Sequence, residues 1–247
     1  MIVSIVNQKG GTGKTTTAVN LSCALAQKGK RVLLVDMDSQ GHVGYSFAIP
    51  KQEITISELM LGEGTIQQAM VEREGVMVVT GDNRLVDVDL YLMDNKQKWF
   101  ILKDLLNTVK NQFDYIFIDC SPSMSLLTLN ALCASDRVIV PVQLSVLDVN
   151  GLEQITETVS KIKQILNKDL FIWGIIPVNV NMQKQLSTEI LEYIEENIDL
   201  KLFRSYIRTH VKAAEAPSFG KSILAYAPDC IVSFDYKRFA NELIRLN

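Results

Sequence analysis

The chain has 247 residues, 47% of them apolar and 21% charged, with a formal net charge of -3 and a pI near 5.5. This length suits one α/β domain, or at most two small ones, and can bury a sizeable core. The charge balance excludes a global attraction to nucleic acid or to acidic membranes, so binding of either kind needs a local patch. None of Cys23, Cys120, Cys133 and Cys230 lies in a CxxC pair, which argues against zinc and for a reduced cytoplasm. No apolar run is of transmembrane length, and residues 2–6 lack the basic flank and cleavage site of a signal peptide.

In chain order, short Val- and Ile-rich runs alternate with longer segments of helical spacing. Residues 2–6 predict a strand and 15–28 a helix; 31–36 predict a strand and 57–71 a helix; 76–80 predict a strand and 99–109 a helix. The pattern continues with strand 115–119, helix 125–133, strand 137–142, helix 146–166 and strand 171–180, then helices over 186–197 and 233–246. Most of the strands are apolar throughout, as in a sheet covered on both faces. The alternation predicts an α/β fold with a mostly parallel, twisted sheet and helices on both sides. No Gly/Ser/Pro linker divides the chain, so residues 1–247 read as one domain.

The first strand runs into Gln8, Lys9, Gly10, Gly11, Thr12, Gly13, Lys14, Thr15 and Thr16, and a helix follows at once. Glycines let successive N–H groups curl around one anion, and the new helix adds its free N–H groups and positive dipole end. Lys14 is placed for the β- and γ-phosphates, the Thr15 hydroxyl for Mg²⁺ and Thr16 for the α-phosphate of a bound nucleotide. The fold class that follows is a P-loop NTPase, with Gln8 standing where the usual pattern has glycine. Lys9 is a second lysine at the mouth of the loop, not needed to hold phosphate from within one subunit.

Three acids sit at predicted strand ends, beside the crevice where open α/β sheets bind nucleotides. Asp36 and Asp38 end the second strand. Asp119 ends the run Tyr115-Ile116-Phe117-Ile118-Asp119, where it is suited to hold Mg²⁺ through its water shell.

The segment Lys9-Gly10-Gly11-Thr12-Gly13-Lys14-Thr15-Thr16 resembles the deviant Walker A motif of the ParA/MinD family, closest to small Soj-like ParA proteins. Asp36-Met37-Asp38-Ser39-Gln40 is similar to the family's Asp-x-Asp-Pro-Gln, with Ser39 in place of proline. Ala214-Glu215-Ala216-Pro217-Ser218-Phe219-Gly220-Lys221 resembles a segment of ParA proteins that covers the nucleotide base. The resemblance implies an ATPase using ATP and Mg²⁺ with slow intrinsic turnover. In it, Lys9 reaches the partner's nucleotide across an ATP-dependent homodimer, Asp38 orients the attacking water and Asp36 supports the loop and the Mg²⁺ shell. Pro217 would lie against the base, and Asn179, at the end of a strand, would read adenine or simply make a turn.

The resemblance further implies sequence-independent DNA binding, release stimulated by a ParB-like partner, and a cytoplasmic, nucleoid-associated protein that moves DNA or another cargo. Residues 201–221 carry Lys201, Arg204, Arg208, Lys212 and Lys221 against the single acid Glu215, a patch able to neutralise phosphates or to form a merely solvated face. Lys184 falls near another family contact. Family members with an N-terminal helix-turn-helix domain carry it ahead of the P-loop, and none is expected here. Two rival readings stand beside this one. A MinD-like membrane-surface ATPase would use the amphipathic terminal helix, which core packing explains better. An iron–sulfur ATPase would use cysteines whose surroundings do not match. No stable membrane insertion is expected.

Overall fold

The computed structural model describes residues 1–95 and 97–247. Its elements, in chain order, begin with β1 (Ile2–Ile5), α1 (Lys14–Ala26), β2 (Val32–Met37), α2 (His42–Ser46), α3 (Ile56–Met60), α4 (Ile66–Ala69), β3 (Met70–Arg73) and β4 (Val76–Val79). The middle of the chain supplies α5 (Leu85–Leu92), α6 (Ile101–Asn107), β5 (Tyr115–Cys120), α7 (Leu126–Ala134), β6 (Arg137–Gln143) and α8 (Val146–Ile165). The remainder forms β7 (Phe171–Val178), α9 (Gln185–Asn197), α10 (Val211–Glu215), α11 (Ile223–Tyr226) and α12 (Ile231–Leu246).

The seven strands form one sheet in the order β3-β4-β2-β5-β1-β6-β7. Every pairing is parallel except the antiparallel hairpin β3–β4. Side chains alternate between two cores because successive residues of a strand point to opposite faces. Ile116, Ile118, Leu33 and Val35 face the core under α3–α8, where Leu102, Leu132 and Leu152 are packed. Tyr115, Phe117, Leu34 and Val3 face the other core, filled by Leu21 and Leu25 of α1 and Phe239 and Leu243 of α12. The apolar face of α12 is therefore core, as packing predicts, and no helix among the described residues is long and apolar enough to cross a membrane.

Two expectations are corrected. Residues 57–71 are not one helix. Gly62 (φ 82°) and Gly64 (φ 88°) take left-handed backbone that breaks it, and capping boxes at Thr55–Glu58 and Thr65–Gln68 start two short helices instead. The end of that segment becomes β3, a half-buried edge strand. The strand predicted over 171–180 stops at Val178, because Asn179 turns the chain with φ 58°.

Beyond β7, an extended stretch lies along the sheet edge through isolated parallel bridges Ile175↔Leu202 and Val180↔Arg208. Gly174 makes this approach possible: a Cβ there would sit 2.8 Å from the Lys201 carbonyl and 2.9 Å from the Phe203 ring. Gly174→Ala should therefore lower unfolding free energy by about 1–3 kcal/mol through overpacking, read by urea denaturation. A loss below about 0.5 kcal/mol would mean the edge stretch relaxes freely.

Candidate functional site

The carboxyl ends of β1, β2, β5, β6 and β7 converge, and each contributes a polar side chain. After β1, Asn7 anchors the loop: its amide nitrogen donates to the Pro141 carbonyl at 2.7 Å and its oxygen accepts the Lys9 N–H at 3.0 Å. Gly11 (φ 76°) and Gly13 (φ 75°) supply the left-handed turns, and Gly13 caps α1 so that its first free N–H groups face the groove. Gln143, at the end of β6, donates to the Gly11 carbonyl at 2.8 Å. The loop is thus pinned at both rims.

Lys14 is 6% exposed, and its ammonium donates to the Lys9 carbonyl at 3.0 Å. Burial lowers its pKa, and Asp119 offsets part of that shift. Asp119 is fully buried and neither of its oxygens accepts a hydrogen bond of normal geometry. Desolvation pushes its pKa up to about 7, with the nearby Thr15 hydroxyl and Lys14 opposing and Asp38 reinforcing the rise. A buried carboxylate with idle oxygens beside Thr15 is the donor set that a hydrated divalent cation completes. No cluster of three His, Cys, Asp or Glu able to hold a metal by itself occurs among the described residues. The set therefore fits Mg²⁺ carried in with phosphate oxygens and water, not a dedicated protein cage.

The two acids of β2 differ. Asp36 is fully buried, and its oxygens accept the N–H groups of Asp38 and Val43, each at 3.1 Å. It holds the turn after β2 through both oxygens, which is the supporting half of its predicted role. Burial and then neighbouring Asp119 raise its pKa. Asp38 is 7% exposed, accepts the Gln40 N–H at 3.0 Å and lines a groove of about 460 Å³ together with Lys14, Thr15 and Pro217. That size is ordinary for a small-molecule site. An adjoining groove shares Gly11, Gly13 and Thr16 and is lined by Asn179, Arg208 and Tyr236. Asn179 and Pro217, both assigned to the base, thus stand in neighbouring grooves and not in one.

Lys9 is about half exposed, and its ammonium lies 3.0 Å from Oδ2 of Asp148, a residue with no side-chain exposure. Ser145 also donates to that oxygen, while Oδ1 has no partner among the described residues. Asp148 is not among the residues that the sequence singles out. Its only local signal is the Ser145-x-x-Asp148 spacing, which also marks an ordinary helix N-terminus.

The basic residues of 201–221 do not form one cluster. Arg204 shares a groove with Lys201, Arg238 and Arg245, the last two from α12. Arg208 is instead committed internally: its backbone N–H and Nε donate to Oδ2 of buried Asp235 at 3.1 and 2.9 Å, and a terminal nitrogen donates to Oδ1. This pair, and not a surface role, explains Arg208's position in the base-side groove. Lys184, Lys212 and Lys221 are exposed but lie outside the Arg204 groove. The four cysteines are buried free thiols.

The raised acids fix a pH dependence. Asp119 stays protonated in the folded chain at pH values where the unfolded chain has already ionised it, so stability is lost as pH rises from about 4 to about 7. Asp119→Asn should flatten that decline by an amount on the order of a few kcal/mol, leaving a residual slope from Asp36. Urea midpoints of the nucleotide-free protein across this range measure it, and an unchanged slope would contradict the assignment.

The comparisons with known proteins agree with this geometry. The family profile described as an AAA domain matches residues 1–172. The chain is 39% identical over 231 residues to the chromosome partitioning protein ParA of Myxococcus xanthus, covering 91% of this chain and 81% of that one. It is 37% identical over 231 residues to the sporulation initiation inhibitor protein Soj of Bacillus subtilis, covering 92% and 91%. The solved structure of cobyrinic acid a,c-diamide synthase from Mycobacterium smegmatis, with bound ADP and magnesium, has a TM-score of 0.87 and 30% identity over 99% of this chain and 94% of that one. With the two-lysine phosphate loop, the strand-end acids and relatives of this similarity over most of its length, the chain belongs to the ParA/MinD family of P-loop ATPases.

Proposed function

We propose that the chain is an ATP-driven switch that binds Mg²⁺ and ATP, pairs with a second copy in the ATP state, holds DNA without sequence preference and lets go on hydrolysis. The observation that carries the reading is the pair of lysines on one phosphate loop. Lys14 is buried among the strand-end acids, where it can serve its own subunit's nucleotide. Lys9 stands at the rim, half exposed and paired with Asp148, where a group arriving from outside could draw it away.

Thr15, and Asp119 through the water shell, would hold Mg²⁺, which would supply charge neutralisation on the phosphates. The amides of Gly10, Gly11, Thr12 and Gly13 and the first turn of α1, including Thr16, cradle the phosphates. Lys14 leaves the Lys9 carbonyl to meet the β- and γ-phosphates, and Asp38 orients water for in-line attack. Asn179 and Pro217 take the base from the two adjoining grooves. Rate enhancement of this kind comes from positioning and charge stabilisation, and with Lys9 supplied by the partner it is complete only in the pair.

For DNA, the groove of Lys201, Arg204, Arg238 and Arg245 is the strongest support. Its one acid, Glu242, is engaged by the N–H groups of Arg204 and Ser205, each at 2.8 Å. Such a groove suits phosphate contacts, which position a duplex without reading bases. Lys184, Lys212 and Lys221 extend the reading, and Arg208 is left out of it because Asp235 holds it. A membrane-surface role is less supported, since Tyr236, Phe239 and Leu243 of α12 are buried. A ParB-like protein is the proposed stimulator, and the cytoplasm and nucleoid the proposed setting, with chromosome, plasmid or another assembly as cargo.

Lys14→Ala should abolish nucleotide binding in calorimetry. Asp38→Ala should keep nucleotide binding and reduce ATP hydrolysis at least tenfold; hydrolysis at the parent rate would remove Asp38 from the mechanism. Affinity for a random-sequence duplex, measured with ATP at two salt concentrations, should fall steeply with salt. Replacing Arg204, Arg238 and Arg245 by Ala should weaken it at least tenfold and flatten the salt dependence, and unchanged binding would sink the groove.

A further inference from the structure

The chain has two histidines, and one of them, His42, lines the phosphate-side groove with Lys14, Thr15, Asp38 and Gln40. It is exposed, and no hydrogen bond from its ring to another described residue occurs; only its backbone carbonyl is used, accepting from the Ser46 hydroxyl at 2.8 Å. Its placement is nevertheless fixed. Asp36 binds the N–H of the next residue, Val43, with the carboxylate that also binds the N–H of Asp38. Gly41 precedes it in left-handed backbone, so close to the chain after β4 that a Cβ would lie 2.9 Å from the Gly81 carbonyl. On the far side, Gly44 packs on Thr80, where a Cβ would stand 3.2 Å from its methyl group. A solvent-facing imidazole with no partner is thus held over the groove on a turn that cannot easily shift.

We propose that His42 is a contact for the terminal phosphate, by which α2 distinguishes a triphosphate from a diphosphate; this rests on the reading of the groove as a nucleotide site. An imidazole N–H donates to a phosphate oxygen, a charge-assisted hydrogen bond at the end where the triphosphate brings most negative charge. The other titratable groups lining the groove are Lys14 from the loop, Asp38 from the end of β2 and Tyr45 from α2 itself; Pro122 and Pro217 close it without charge.

The test is the affinity of the full chain with Mg²⁺ for adenylyl imidodiphosphate and for ADP in the parent and in His42→Ala. His42→Ala should weaken the triphosphate analogue roughly tenfold, the scale of a hydrogen bond to a charged group, and leave ADP within about twofold. Equal weakening of both nucleotides, or no change in either, would overturn the role of His42 while leaving the nucleotide site standing. A parent chain that binds neither nucleotide would overturn both readings together.

Discussion

A lysine at the rim of the phosphate loop pairs with a carboxylate that has no contact with water. Lys9 and Asp148 lie 3.0 Å apart, and the second oxygen of Asp148 has no partner among the described residues. Removing one partner from such a pair costs about 3–5 kcal/mol when both are buried, and the exposure of Lys9 puts this case toward the lower end. Under the proposed cycle, that cost is what the triphosphate has to overcome before Lys9 can serve another copy. A second internal contact works in the same direction, since Lys14 caps the Lys9 carbonyl. Both lysines are therefore turned inward, and phosphate charge is the agent able to redirect both. This gives the nucleotide the differential interaction that a two-state change requires.

The phosphate end of the site was legible in the sequence because its chemistry is local. Glycines, Lys14 and Thr15 lie within one turn between a strand and a helix, and acids at the ends of apolar runs fall beside it in a parallel sheet. What the sequence hid was partnership across distance. Asp148 is 139 residues from Lys9, and in one dimension it looks like part of a helix cap. Arg208 reads as one more cation until the fold brings Asp235 against it. Arg238 and Arg245 read as the solvated face of a packing helix, yet the return of residues 201–204 along the sheet edge gathers them with Arg204. The break of the helix at Gly62 and Gly64 was written in two capping patterns, Thr55-x-x-Glu58 and Thr65-x-x-Gln68, that the apolar spacing of the segment overshadowed.

Fold alone would not have chosen a function. A structure named for a diamide synthase superposes on this chain with a TM-score of 0.87, while a relative named for chromosome partitioning shares more of its sequence. Function is grafted on such a fold through particular side chains. Here these are a second lysine at the rim of the phosphate loop, and a basic groove on an otherwise acidic chain. The two lie on different parts of the molecule, so a switch that couples them has to act through association of copies or through the elements joining β7 to α12.

The claim on which the account stands is that ATP joins two copies through Lys9. Sedimentation equilibrium of the Asp38→Ala chain with Mg²⁺ tests it, comparing ATP with ADP and then adding Lys9→Ala to the same background. The account predicts a dimer with ATP, a monomer with ADP and a monomer with either nucleotide once Lys9 is gone. A monomer under every condition, or an ATP-bound dimer that persists without Lys9, would contradict it.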